Sequence, residues 1–201
     1  MPQANLKISI YNLIRKNTCP FSAVEKHVPK DGRIYDLGCG FGLFSVFMYA
    51  KSSNREIIAV DWIEERINFA LVSSNKIKFV YADVFNMLLD SCKAVILIDI
   101  LYLFDHTRQK ELLLKCYHAL ENNGVLLIKE MDTGPLLKYL WCLIQESIVT
   151  KIFKRNLSTG MYFWNRSKFI NFLEGIGFSV KPLKLDKGYL YPHILYVCEK
   201  K

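Results

Sequence analysis

An apolar run, Arg33 to Leu37, breaks into Gly38-Cys39-Gly40-Phe41-Gly42 and resumes as Leu43 to Ala50. A glycine-dense turn between a buried strand and a helix lets the backbone approach a ligand closely, and the helix start adds free N–H groups and a positive dipole end. The spacing places Leu43 where a dinucleotide-type G-x-G-x-x-G needs its last glycine, which disfavours a pyrophosphate. Asp61 closes the next apolar run, Ile57 to Val60, where a carboxylate can accept both hydroxyls of a ribose, and Trp62 offers a flat face to a purine. Asp83, in Tyr81-Ala82-Asp83-Val84, ends a third run and is placed to accept an amino group of the same base. Any one of these acids could simply cap the following helix. Three at consecutive strand ends beside a glycine turn point to one nucleotide-like ligand.

Alternation of strand and helix signals continues along the chain and predicts an α/β fold with a mostly parallel sheet covered by helices. Strands are expected at 33–37, 57–60, 77–81, 94–98 and 125–129, with 94–98 the most hydrophobic and central. Helices are expected at 42–50 and 63–71. A further helix, capped by Thr107, should run to Glu121 and stop at Asn122-Asn123-Gly124. An N-terminal helix (about 4–17) should cross the mouth of the site. A helical lid insertion (about 134–165) carries Leu137, Leu140, Trp141, Ile144, Ile148 and Ile152 on one face. Ser167 should cap a last helix through Glu174, before strands at 178–183 and 194–198.

At 201 residues, 51% hydrophobic and 23% charged, the chain suits a single domain, 1–201, with an ample core. Its apolar runs are too short, or too interrupted by charge, for a spanning helix of about 20 residues. Met1 to Asn5 shows no signal-peptide pattern. The six cysteines include no C-x-x-C pair, so they read as reduced, buried and cytosolic. The net charge of +8 is uneven: residues 1–137 hold 16 Lys/Arg against 15 Asp/Glu, and residues 138–201 hold 11 against 4. That asymmetry suits an acidic carrier protein, an anionic membrane surface or a phosphate-bearing substrate, and equally a solvated basic face.

The series Ile34-Tyr35-Asp36-Leu37-Gly38-Cys39-Gly40-Phe41-Gly42, Ala59-Val60-Asp61, Ala82-Asp83 and Leu97-Ile98-Asp99 resembles the ordered motifs of class I S-adenosylmethionine-dependent methyltransferases. The resemblance implies a Rossmann-like, seven-stranded, mostly parallel sheet with an antiparallel last strand. It also implies S-adenosyl-L-methionine as cofactor. Asp36, Gly38, Cys39, Gly40, Phe41 and Gly42 would lie at its methionine end, Asp61 and Trp62 at ribose and adenine, Asp83 and Val84 along the adenine edge, and Asp99 at the border with the acceptor. Lys129-Glu130-Met131-Asp132 and Gly188-Tyr189-Leu190-Tyr191-Pro192-His193 are loosely similar to small methyltransferases that accompany fatty-acid-like and aryl polyene biosynthesis.

In such a fold the acceptor lies past the fourth and fifth strands, which makes Tyr102, His106 and Glu130 the catalytic candidates, with Asp132 and His193 beside them. His106 titrates near neutrality and suits a general base; it equally suits the first turn of a helix. Glu130 and Asp132, one residue apart on a strand end, should point the same way. Asp99 lacks a second adjacent oxygen ligand, so no metal is expected. The chain has Asp99-Ile100-Leu101-Tyr102 where enzymes that methylate nucleic-acid bases often carry Asn/Asp-Pro-Pro-Tyr/Phe, and it lacks the paired-glutamate loop of protein arginine methyltransferases.

The greasy insertion therefore favours methyl transfer, at oxygen, to a hydrophobic small molecule, lipid or carrier-bound acyl or aryl substrate. An RNA methyltransferase using the basic C-terminal third, or a catalytically silent cofactor-binding scaffold, are the alternatives. The expected location is cytoplasmic, free or peripheral at the inner membrane. Oligomeric state does not follow from these residues.

Overall fold

The computed structural model describes residues 12–132, 160–189 and 192–201. Residues 4–11 of the expected N-terminal helix and 134–159 of the expected lid insertion lie outside the described residues; 12–18 are helical and form α1. The helices that follow among the described residues are α2 (Phe21–Glu25), α3 (Leu43–Lys51), α4 (Glu64–Ser73), α5 (His106–Ala119) and α6 (Arg166–Ile176), with a 3-10 turn at Leu101–Leu103. The strands are β1 (Gly32–Leu37), β2 (Arg55–Asp61), β3 (Lys78–Tyr81), β4 (Cys92–Ile98), β5 (Leu120–Met131), β6 (Phe178–Lys184) and β7 (His193–Lys200). They form one seven-stranded sheet in the order β3-β2-β1-β4-β5-β7-β6, so β4 is central as its hydrophobicity predicts. β1 to β5 are mutually parallel, and β7 runs antiparallel to both β5 and β6.

Strands sealed by helices on both faces read as continuous apolar runs, because successive side chains enter opposite cores. Leu37, Val60, Leu97 and Ile128 pack with α5 and α6 through Leu112, Leu113, Phe169 and Leu173. Their neighbours Ile34, Ala59, Ile96 and Leu127 pack on the other face with α2, α3 and α4 through Phe21, Met48 and Ile67. The strand order reverses between β1 and β4, and a crevice opens outside the carboxyl ends of strands at such a point.

Two helix boundaries differ from expectation for the same reason. Asp105, not Thr107, caps α5, accepting from Thr107 N–H and Arg108 N–H, and Asn165, not Ser167, caps α6. Both are acceptor-bearing Asx residues set one position before the first helical residue, where the side chain reaches the orphan donors. Asn122-Asn123-Gly124 does not end α5. The helix stops at Ala119 and the chain enters β5 directly, with Leu120 pairing Cys92 before a register shift restores pairing at Ala94 and Val125. Asn123 takes φ 64° within that irregularity, a conformation Asn tolerates.

Two buried polar groups anchor the ends of the sheet. Arg55 opens β2 with a fully buried side chain. It donates to Pro29 O (2.7 Å), Met48 O (2.6 Å), Val28 O (3.1 Å) and Glu25 Oε1 (2.8 Å), joining α2, α3 and the loop before β1. At the other end, Glu130 Oε1 accepts Leu101 N–H at 2.9 Å and so braces the 3-10 turn beyond β4. Among the described residues its buried Oε2 has no hydrogen-bond partner. Burial, with Asp99 nearby, raises the Glu130 carboxyl to about 8, so this group is mainly protonated at neutral pH.

Arg55→Met should destabilise the chain by about 3–5 kcal/mol by stranding three carbonyls and leaving the buried Glu25 carboxylate with Lys30 as its remaining ion-pair partner among the described residues. Denaturant unfolding measures this, and a loss below about 1 kcal/mol would show that the bracket is dispensable. Glu130 binds its proton more tightly folded than unfolded, so its contribution to stability is complete below the ordinary pKa of 4.5 and is lost as pH rises through about 8. Glu130→Gln, which keeps an acceptor and is always neutral, should therefore gain thermal stability over the wild type progressively across that interval. A melting-temperature difference that stays constant with pH would contradict a protonated Glu130.

Candidate functional site

Asp36, next to last in β1, is buried, and its Oδ2 accepts the Ser45 hydroxyl of α3 at 2.5 Å. Burial pushes this carboxyl up to about 6, with Asp61 adding to the rise and the Ser45 hydrogen bond opposing it. Beyond it the glycine turn is tied to β2, since Gly38 N–H and Cys39 N–H both donate to Val60 O, at 2.7 and 2.9 Å. Asp61, at the end of β2, accepts Gly40 N–H on Oδ2 and Ile63 N–H on Oδ1, both at 2.9 Å. Arg66 Nη1 of α4 lies 3.6 Å from Asp61 Oδ2. A carboxylate has about four acceptor directions, so two remain for hydroxyls of a ligand.

The glycines divide their work. Gly40 has φ 58°, and a Cβ there would meet nothing within 4 Å: the turn leaves an open space in front of it. Gly42, expected at the ligand, does not line the cavity. A Cβ on Gly42 would stand 2.6 Å from the Phe79 ring and 3.1 Å from Ala70, so its role is to let α3 start against β3 and α4. Its φ of 74° makes any side chain there strained.

Asp83, following β3, is held in an Asx turn by Phe85 N–H at 3.0 Å and by Asn86 Nδ2 at 3.1 Å. Phe85 meets Phe104 edge-on at 4.8 Å, and the Arg108 guanidinium covers Phe85 at 3.8 Å. Asp99, after β4, takes φ 53° and chelates Lys129 Nζ with both oxygens, at 2.7 and 2.8 Å. Arg15 of α1 approaches the same carboxylate at 2.7 Å. Burial alone would raise the Asp99 carboxyl; the Lys129 ammonium and Arg15 guanidinium overcome it and hold Asp99 well below the usual carboxylate range.

These groups border one cavity of about 300 Å³. Of the expected ligand residues, Asp36, Gly38, Cys39, Gly40, Phe41, Asp61, Trp62, Asp83, Val84 and Asp99 all line it. So do Arg15, Arg66 and Arg108, which sequence reasoning did not single out, together with an apolar wall that includes Phe21, Phe44, Ile98 and Leu103.

The three catalytic candidates stand outside this lining. Tyr102 is buried behind the 3-10 turn with its ring stacked on Phe163 at 5.1 Å, because the turn presents Ile100 and Leu103 to the cavity instead. His106 is exposed in the first turn of α5, with its ring 4.6 Å from Trp164. Glu130 and Asp132 do share a face, but it is the α5 and α6 face of the sheet: Glu130 braces Leu101, and Asp132 pairs with Arg166 of α6. His193 Nε2 lies 2.7 Å from Thr18 O, at the end of α1.

The cavity therefore offers what an adenosyl and amino-acid ligand needs. Asp61 suits a ribose diol, Asp83 and Val84 suit an adenine edge, Gly40 leaves the backbone open, and Asp36 and Arg15 supply opposite charges at the far end. Residues 34–124 match the family described as a methyltransferase domain. A carboxy-S-adenosyl-L-methionine synthase of Shewanella piezotolerans is 31% identical over 114 residues, which are 53% of this chain and 47% of that protein. The chain spans about half the length of the curated relatives it matches. A SAM-dependent methyltransferase from Archaeoglobus fulgidus superposes with TM-score 0.71 at 17% identity, covering 94% of this chain and 99% of that one. Human N-acetylserotonin methyltransferase, solved in complex with SAM, superposes with TM-score 0.68 at 22% identity over 90% of this chain and 52% of that one. The domain match spans the strands whose ends line the cavity, and the fold is that of SAM-dependent methyltransferases of known structure.

Proposed function

We propose that the chain transfers a methyl group from S-adenosylmethionine to a hydroxyl on a hydrophobic small molecule, lipid or carrier-bound acyl or aryl acceptor. The observation that carries this reading is a cavity in which carboxylates from four consecutive strand ends meet an apolar wall. The sulfonium of the cofactor makes its methyl group electrophilic, so the chemistry resides in the cofactor and the chain must bind, orient and exclude water. Asp61 holds the ribose, Asp83 and Val84 the adenine, and Asp36 the amino group of the methionine end. Phe21, Ile98 and Leu103 leave an acceptor oxygen few polar partners other than the reacting carbon.

Asp99 is held ionised by Lys129 and Arg15, and a carboxylate of such low basicity is a weak proton acceptor. We assign it a structural and electrostatic part and place the burden of rate on orientation, which can supply several kcal/mol. The basic balance of residues 138–201, 11 Lys/Arg against 4 Asp/Glu, supports delivery of the acceptor by an acidic carrier or from an anionic surface. Among the described residues no helix is long and apolar enough to cross a membrane.

Calorimetric titration should show S-adenosylhomocysteine binding that Asp61→Ala weakens by about 2 kcal/mol, the scale of losing charged hydrogen bonds. Incubation with S-adenosylmethionine and a panel of hydroxylated aryl and acyl acceptors should then release S-adenosylhomocysteine and a product heavier by one methylene. Tight cofactor binding with no turnover on any acceptor would favour a silent scaffold instead. Methylation of RNA with strong salt dependence would favour a nucleic-acid acceptor.

A further inference from the structure

The carboxylates that border the cavity are all engaged within the protein. Asp36 accepts from Ser45, Asp61 from Gly40 and Ile63, Asp83 from Phe85 and Asn86, and Asp99 from Lys129. Asn12 differs from them. It reaches the cavity from α1, one turn before Arg15 and on the same face, while Leu13 and Ile14 between them are exposed. Among the described residues, Asn12 Oδ1 is buried with no hydrogen-bond partner. A buried acceptor without a donor is costly, so such an atom at a ligand cavity marks a place where the ligand brings the donor. Glu130 Oε2, buried in the same way, stands behind the 3-10 turn and outside the lining. The lining also holds Phe21 and Phe44, with ring centroids 5.1 Å apart, and Leu103 and Phe104, a surface that suits a flat aryl body.

We propose, building on the methyl-transfer reading above, that Asn12 Oδ1 holds the acceptor by accepting the hydrogen of its aryl hydroxyl. The strand-end carboxylates answer the polar groups of the cofactor. Asn12 comes instead from a helix that precedes the sheet, and Thr18 O at the end of that helix lies 2.7 Å from His193 Nε2, which fixes α1 against β7. A carboxamide oxygen accepts from an O–H and gains nothing from an ether. In the transfer, a lone pair of the acceptor oxygen forms the new O–C bond. The bond from sulfur to the methyl carbon breaks, its electron pair stays on sulfur as the neutral thioether, and the hydroxyl proton leaves to water. Asn12 takes no proton and acts by orientation, turning the O–H toward itself and a lone pair toward the methyl. Methylation then removes the donor and strands Oδ1 again, so the methylated product is held more weakly than the acceptor it came from.

The test uses 2-naphthol and its methyl ether, 2-methoxynaphthalene, titrated into protein saturated with S-adenosylhomocysteine. Calorimetry on the wild type should show 2-naphthol bound about tenfold more tightly than the ether. In Asn12→Leu, which keeps the bulk and removes the acceptor, that ratio should collapse toward one, while S-adenosylhomocysteine binds as it does to the wild type and so reports an intact fold. Asn12→Asp keeps acceptor oxygens without the amide donors and should retain the preference for 2-naphthol. If Asn12→Leu does not fold, Asn12→Ala carries the same comparison. A ratio that the loss of the acceptor leaves unchanged would overturn the assignment, as would a wild type that binds S-adenosylhomocysteine and neither naphthalene probe. If Asn12→Leu folds but loses S-adenosylhomocysteine itself, Asn12 serves the cofactor, so the assignment falls and the cofactor reading stands. If the wild type does not bind S-adenosylhomocysteine, both fail.

Discussion

The two backbone N–H groups accepted by Asp61 hold the site together. Gly40 belongs to the turn after β1 and Ile63 to the turn after β2, and one buried carboxylate draws both to itself at 2.9 Å. The parallel register of β1 on β2, Leu37 opposite Val60, brings the turns within that reach. From there the rest follows in order. The Val60 carbonyl fixes the glycine turn, the positive φ of Gly40 opens the backbone to the cavity, and α3 starts where Gly42 admits it against Phe79. A carboxylate that already organises its own protein retains only part of its accepting capacity for a ligand. That arrangement pre-orients the remaining lone pairs, so little ordering is left for the moment of binding.

Much of this was legible in the sequence because it is local. The runs Ile57 to Val60 and Ala94 to Ile98 are too short for helices and too apolar for a solvated strand, which leaves a parallel strand buried on both faces. An acid directly after such a run sits at the carboxyl edge of the sheet whatever the tertiary details. The glycine spacing, with Leu43 where a last glycine would stand, disfavours a dinucleotide geometry.

What escaped has a common physical origin in contacts between residues far apart in the chain. Asp99 and Lys129 are joined across neighbouring strands, and Arg15 reaches the same carboxylate from a helix that precedes the sheet. No periodicity encodes such a triad. One signal was available: Lys129 directly follows Val125 to Ile128 in a strand otherwise fit for full burial, and a lysine there needs a carboxylate partner. Tyr102, His106 and Glu130 were drawn toward the cavity by sequence proximity to Asp99 and β5. Side-chain direction in the 3-10 turn, and the parity of Glu130 on β5, decide otherwise. Glu130 instead supports the wall that Ile100 and Leu103 present.

A crystal structure of the chain grown with S-adenosylhomocysteine tests the central claim most directly, since it asks where the ligand lies rather than whether something binds. The account predicts the ribose hydroxyls on Asp61, the adenine along Asp83 and Val84, and the amino-acid end between Asp36 and Arg15. Density for the ligand anywhere other than this cavity, or a ribose that leaves Asp61 untouched, would contradict it.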